Sequence, residues 1–224
     1  MLYLFQIVEP IATEAAAAPD LTVGELLLKG GVVMIPLFIL SVITLYIVVE
    51  RLLYLKTATQ RKPNFIPQIK KSLQDADIKS ARLIAQQEPS ATGKMISNAL
   101  DYIGKPSREV ESIMETSAEI ELGKMERNIA YLGIIAGVAP MLGFIGTISG
   151  IIRIFYSISL ADNISIGIIA GGLYEKMITS GSGLVVGVIA YVCYHMLQQK
   201  IQRYTIHLQE DALEFLKALT GTSK

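Results

Sequence analysis

The stretch Arg127 to Arg153, RNIAYLGIIAGVAPMLGFIGTISGIIR, carries no formal charge between its two arginines, and glycine recurs along it. A hydrocarbon core of about 30 Å needs roughly 20 apolar helical residues, so this run is long enough to cross a bilayer. The separations Gly133/Gly137 and Gly146/Gly150, with Gly143 between, give small residues four apart, which let neighbouring backbones approach closely. The reading is therefore a membrane helix built to pack against other helices. Its polar exceptions, Thr147 and Ser149, are candidates for an intramembrane pathway.

The rest of the chain agrees with that class. Of 224 residues, 51% are hydrophobic and 18% charged, the formal net charge is zero, and mean hydropathy is +0.46. These values suit an integral membrane protein and exclude a strongly basic nucleic-acid binder or an acidic disordered chain. Cys193 is the single cysteine, so one chain can build neither a disulfide framework nor a multi-cysteine metal site.

Two further spans lie on either side. Residues 30–50 are uncharged from Gly30 to Val49, and residues 164–196 form a long apolar segment interrupted by Glu175 and Lys176. With 128–155 as the second span, the chain is expected to be all-α with three transmembrane helices, joined by a loop at 156–163. Arg51, Lys56, Arg61 and Lys62 follow the first span, whereas Glu9, Glu14, Asp20 and Glu25 precede it. By the positive-inside rule the N-terminus is outside and the C-terminus, with Lys200 and Arg203 after the third span, is inside. Residues 1–29 lack the basic n-region of a signal peptide and carry Glu9 and Glu14, so a retained outer segment is expected. Within it, Leu21 to Lys29 suits either a short amphipathic helix on the membrane surface or a simple lead-in.

Residues 51–127 form the expected cytoplasmic domain. Pro63, Pro67, Pro89 and Pro106 cut it into short helices with apolar stripes: Ile66, Ile69, Leu73; Ile78, Ala81, Leu83, Ile84; and Met95, Ile96, Ala99, Leu100, Ile103. Pro106 suits a helix start, and no proline or glycine cluster follows before the membrane, which predicts one helix of roughly 75 Å running into the second span. The third span is expected to continue through residues 197–224, with Leu197, Ile201, Tyr204, Leu208, Leu213 and Leu216 available for packing. The acidic run Glu109, Glu111, Glu115, Glu119, Glu121, Glu126 reads as a solvated helix face, with a docking site for a basic segment as the alternative.

An ionisable residue inside a bilayer is a functional candidate by default. Glu175 meets that description, but its place near the outer end of the third span leaves pathway and boundary both open. Thr179, Ser180 and Ser182 follow within two turns, where hydroxyls either glue helices together or line a hydrated pore. Gly183 and Gly187 extend the close-packing pattern to this helix. No catalytic constellation is found: GSGLVVG lacks the GxGxxG spacing, and Ser182 and His195 stand roughly 20 Å apart along one helix. The chain is read as a non-enzyme without metal or cofactor.

Two motifs are specific: AP-x-LG-xx-GT-xx-G from Ala139 to Gly150, and E-xxxx-[ST]-xx-GL from Glu175 to Leu184. With three N-out spans and a large segment between the first two, the chain resembles the MotA/TolQ/ExbB proton channel family, and ExbB within it, from about Leu21 onward. The resemblance implies a homopentameric ring in the inner membrane of a diderm bacterium. The ring would enclose an ExbD-like single-span partner with a membrane aspartate and energise outer-membrane transport through a TonB-like protein. It implies that Thr147 and Ser180 line the path of a proton, or of sodium, with Glu175 at the family's acidic position. Ser180 where threonine is common, Ile189 where the family often has proline, and Lys176 beside Glu175 are departures. Its own copies and membrane lipids complete the expected partners; a TolQ-like or motility-motor subunit, or a passive membrane scaffold, are the alternatives.

Overall fold

The computed structural model describes residues 30–60, 62–160 and 166–221, and every regular element among them is helical. In chain order these are α1 (Met34–Ala58), α2 (Phe65–Gln74), α3 (Ile78–Gln86), α4 (Ala91–Leu100), α5 (Ser107–Glu126), α6 (Ile129–Leu160) and α7 (Ile166–Gly221). The expected helix at Leu21 to Lys29 lies outside the described residues.

Three helical stretches are long and apolar enough to cross a membrane: α1, the α5–α6 rod, and α7. Their outward faces are apolar, with Phe38, Leu45, Phe144 and Val185 each more than half exposed. A contiguous face of that kind is stable against lipid or another protein, not against water. α6 and α7 pack as an antiparallel hairpin, and α1 lies across both. At about 1.5 Å per residue the 56 residues of α7 extend roughly 84 Å, so its second half stands well outside the hydrocarbon layer.

That second half is the post around which α2 to α5 assemble. Leu197, Ile201, Tyr204 and Leu208 are buried as their spacing predicts, in one core with Ile69, Leu73, Met95, Ile96, Leu100, Val110 and Met114. Leu213 instead points outward at 54% exposure and Leu216 is half-buried, while Phe215 and Ala218 fill the core. On α3, Ala81 is buried but Ile78 and Leu83 are exposed, because a nine-residue helix has only one narrow face turned to its neighbours. The prolines fall where a missing N–H costs least: Pro67 in the first turn of α2 and Pro106 at the N-cap of α5. Asp77 and Ser90 cap α3 and α4, accepting from Ser80 N and Gly93 N.

The expected unbroken helix from Pro106 into the membrane is not found. α5 stops at Glu126 and α6 begins at Ile129, with Asn128 at φ +66°. Asparagine is among the few residues that enter the left-handed region readily, so it interrupts the ladder where no proline or glycine signals a break. The break leaves carbonyls at the end of α5 without helical donors. Arg51 of α1, 2% exposed, satisfies one by donating from Nη1 to Lys124 O at 2.9 Å, and it also pairs with Glu50. Arg51 thus links the first span to the end of α5, beside the shared core of Leu55, Met125 and Ile129.

The acidic run is mostly the solvated face that was expected, but Glu121 is not. It is buried on the inner side of α5, held by Lys94 at 3.0 Å and Lys124 at 2.5 Å. Burial pushes its carboxyl up, yet the hydrogen bonds and charges of the two lysines outweigh this and leave it below its ordinary value.

Candidate functional site

The α6–α7 seam is built from glycine. A Cβ placed on Gly143 would lie 3.1 Å from both Cα and O of Ser180, and one on Gly183 would lie 2.6 Å from Ala139 O and 3.0 Å from Gly143 Cα. The two backbones touch here, which only glycine at both positions permits. One turn along, Gly187 accepts the ring of Pro140, whose Cγ would stand 2.5 Å from an added Cβ. Pro140 lies inside α6 and has no N–H, so Ala136 O loses its helical donor; that carbonyl would stand 3.1 Å from the same added Cβ on Gly187. In the other direction a Cβ on Gly146 would lie 2.9 Å from the Thr179 methyl and close to Val33 of the first span's entry, and one on Gly150 would run into the methylenes of Lys176. A Cβ on Gly133 would make ordinary contact with the Tyr194 ring, at 3.4 Å. Gly137 alone among the candidate packing glycines faces away from the seam, with nothing within 4 Å of its added Cβ. Its four-residue spacing from Gly133 turns it 40° further round α6.

Two residues that carry candidate pathway hydroxyls lie at this seam, both next to Gly143. Thr147 is half-buried and donates from Oγ1 to Gly143 O at 3.1 Å, with Lys176 O of α7 at 3.4 Å. Ser180, also half-buried, has its backbone against the same Gly143. Gly143 is therefore the shared neighbour of both residues. A threonine hydroxyl that donates one bond keeps its lone pairs as acceptors, so Thr147 can still accept a hydrogen bond from a third group.

The other candidates stand elsewhere. Thr179 is 1% exposed and donates to Gly30 O at 2.6 Å, which ties the entry of the first span to α7. Its hydroxyl serves helix association rather than a wetted surface. Ser149 and Ser182 are half-buried, each about 160° round its helix from Thr147 and Ser180 respectively. Glu175 falls within α7, where its register position is about 140° from that of Ser180 and about 20° from that of Ser182. The fold thus groups Thr147 with Ser180 and sets Glu175 at a different register.

Sequence reasoning missed two functional contacts of the fold: the Gly30 carbonyl as Thr179's partner and Arg51 as the lock on Lys124. The Gly30 carbonyl belongs to the backbone and has no side chain to read. Arg51 reads in the sequence as one more positive-inside charge, although it alone among the four basic residues after the first span adjoins residues 30–50 directly.

Taken together, fold and seam define a polytopic α-helical membrane protein whose second and third spans form a glycine-sealed hairpin carrying hydroxyls at its crossing. The chain belongs to the MotA/TolQ/ExbB proton channel family, which it matches over residues 83–210, from α3 through the second and third spans into the second half of α7. It is 26% identical over 196 residues to a Synechocystis protein described as ExbB-like 1, covering 86% of this chain and 74% of that one. It is 28% identical to the biopolymer transport protein ExbB of Pseudomonas putida, covering 83% of this chain and 58% of that protein. Against the Tol-Pal system protein TolQ of Haemophilus influenzae the identity is 25%, over 48% of this chain and 45% of that one.

Proposed function

We propose that this chain is an ExbB-like subunit of an ion-driven motor in the inner membrane of a diderm bacterium. In this reading five copies surround the single membrane helix of ExbD-like partners, with the α2–α5 domain in the cytoplasm, and a TonB-like protein carries the work to the outer membrane. The observation that carries it is that Gly143 takes the Thr147 hydroxyl on its carbonyl and has the Ser180 backbone against it, within the matched region of a proton channel family. Polar side chains inside a bilayer are costly unless they serve a pathway or an interface. Here one hydroxyl bridges toward the facing helix while retaining acceptor capacity.

A partner's membrane aspartate would take a proton from one side, become neutral, pass these hydroxyls and release it on the other. One elementary charge crossing 100 mV supplies about 2.3 kcal/mol, enough to bias a step of a ring against the helices it encloses. Proton is the ion this scheme assigns; sodium is distinguished by flux measurements in its absence. Glu175, in a different register, is assigned to the outer entrance rather than to the crossing.

The test is Thr147→Val in the native background, with ion-driven outer-membrane uptake as the readout and complex recovery in mild detergent as the control. Loss of uptake with an intact complex supports the reading; retained uptake refutes the pathway role of Thr147. The TolQ-like reading is favoured in part by the Haemophilus similarity and differs only in partner. Mass spectrometry of the intact complex separates the two by the protein that co-purifies.

A further inference from the structure

Away from the membrane seam, α4, α5 and α7 leave a groove of about 330 Å³ between them. Ala118, Leu122, Leu213 and Leu216 belong to its apolar lining, and Leu213 is 54% exposed. One wall is acidic. Glu111, Glu115 and Glu119 follow one another at four-residue spacing along α5, all exposed, and among the described residues they form no salt bridge. Like charges at that spacing repel one another along a helix, so the row disfavours α5 by itself and favours a cation laid across it.

The complement of this surface lies on the same chain. α5 carries six glutamates against Arg108 and Lys124, whereas residues 65–87 carry Lys70, Lys71, Lys79 and Arg82 against Asp75 and Asp77. Lys70, Lys71 and Lys79 are exposed, and beside Lys79 on α3 the apolar Ile78 and Leu83 are 41% and 58% exposed. A chain of zero net charge has thus sorted its two signs onto two faces, each with apolar side chains left open. The faces also stand at one height. Lys94 pairs with Glu121 and Asn98 with Ser117, so α4 runs antiparallel to α5; Asp101, three residues beyond Asn98 and so near the level of Met114, takes Arg82 of α3. The exposed side of α3 is therefore level with the glutamate row. Within one chain α4 lies between α3 and α5, which keeps the basic face from its own groove. A neighbour held at the same depth in the same membrane meets no such obstacle, and a contact between two different faces is the head-to-tail kind that closes rings.

We propose that the α5–α7 groove of one copy takes the α2–α3 face of a second copy, with Leu83 seated on Leu213 and Lys79 against the glutamate row. Exposed ion pairs alone add little, so the apolar contact holds the interface and the charges set its direction. The inference rests on the multi-copy reading above and gives that assembly a contact outside the membrane.

The experiment uses full chains carrying Cys193→Ser, some with Leu83→Cys and one tag, the others with Leu213→Cys and a second tag, co-expressed in the native membrane and oxidised with copper phenanthroline. A disulfide joining the two tags is expected, at least tenfold above that formed by either variant alone. Adding Glu115→Lys to the Leu213→Cys chain should cut it at least threefold, and adding Lys79→Glu to the Leu83→Cys chain should then restore it to within twofold. Mass spectrometry of the intact complex in mild detergent is read alongside. Single copies would overturn both this inference and the multi-copy reading. Assembled copies without the disulfide, a disulfide formed as readily by either variant alone, or no response to charge reversal would overturn this inference and leave that reading standing. A disulfide from Leu213→Cys to a different protein would also overturn it and assign the groove to a partner segment.

Discussion

Replacing Gly183 by alanine tests whether α6 and α7 are held at backbone contact. The added methyl would sit 2.6 Å from Ala139 O and 3.0 Å from Gly143 Cα. Ordinary contact begins near 3.4 Å, so the helices must part by roughly 0.8 Å at the crossing, and both obstacles are backbone atoms that have no rotamer to move. Overpacking of this kind costs about 1–3 kcal/mol, of which alanine's better helix propensity returns up to about 1. The net loss against wild type is then about 0–2 kcal/mol, up to a factor of about 30 in the unfolding equilibrium, and against an unhindered glycine-to-alanine change it is about 1–3 kcal/mol. The control lies two residues away: a Cβ on Gly181 meets nothing within 4 Å, so Gly181→Ala should be neutral or slightly stabilising. Unfolding in mixed micelles by increasing SDS, followed by far-UV circular dichroism, measures both variants on the dispersed chain. Equal stability of the two would refute the seam as the site of close approach. Parting the helices also stretches the 3.4 Å Thr147 to Lys176 contact, already near the limit of a hydrogen bond, so Gly183→Ala should impair transport more than its stability alone explains.

Other perturbations probe the contacts that sequence did not reveal. Thr179→Val removes the donor to Gly30 O and should cost about 1 kcal/mol in the same assay, with Thr179→Ser close to wild type. Arg51→Met removes the donor to Lys124 O and should cost about 2 kcal/mol, detected as earlier proteolysis near residues 126–129. Glu121 is held below its ordinary value in the fold, so its contribution is present above pH 4.5 and fades as pH falls through the lower folded value. Glu121→Gln should therefore be less stable than wild type at pH 7, and the gap should close in acid, as read from thermal midpoints across pH 3–7.

Several features were readable because they depend on periodicity and length. The absence of charge between Arg127 and Arg153 defines a span, and the spacing of Leu197, Ile201, Tyr204 and Leu208 defines a buried face. The glycines announced close packing, and six of the seven positions singled out do face a neighbouring side chain or backbone. The break at Asn128 escaped because asparagine carries no obligatory signal: it is compatible with a helix and becomes left-handed only where the surrounding packing requires a turn. Glu121 escaped because a glutamate among five others reads as solvent-facing until its helix is docked and two lysines close over it.

By itself, then, the amino-acid order determined an all-helical membrane chain, the three apolar stretches, and the residue types available to a pathway. Hydrophobic length and helical period are local properties, carried by each segment whatever it packs against. Which hydroxyl does what was a tertiary decision. Thr179 and Ser180 are adjacent in sequence, yet the hand of α7 turns one into the Gly30 carbonyl and leaves the other with its backbone against Gly143, whose carbonyl Thr147 bonds. A rotation of 100° per residue separates their fates, and only the docking of α1 and α6 against α7 sets where that rotation begins.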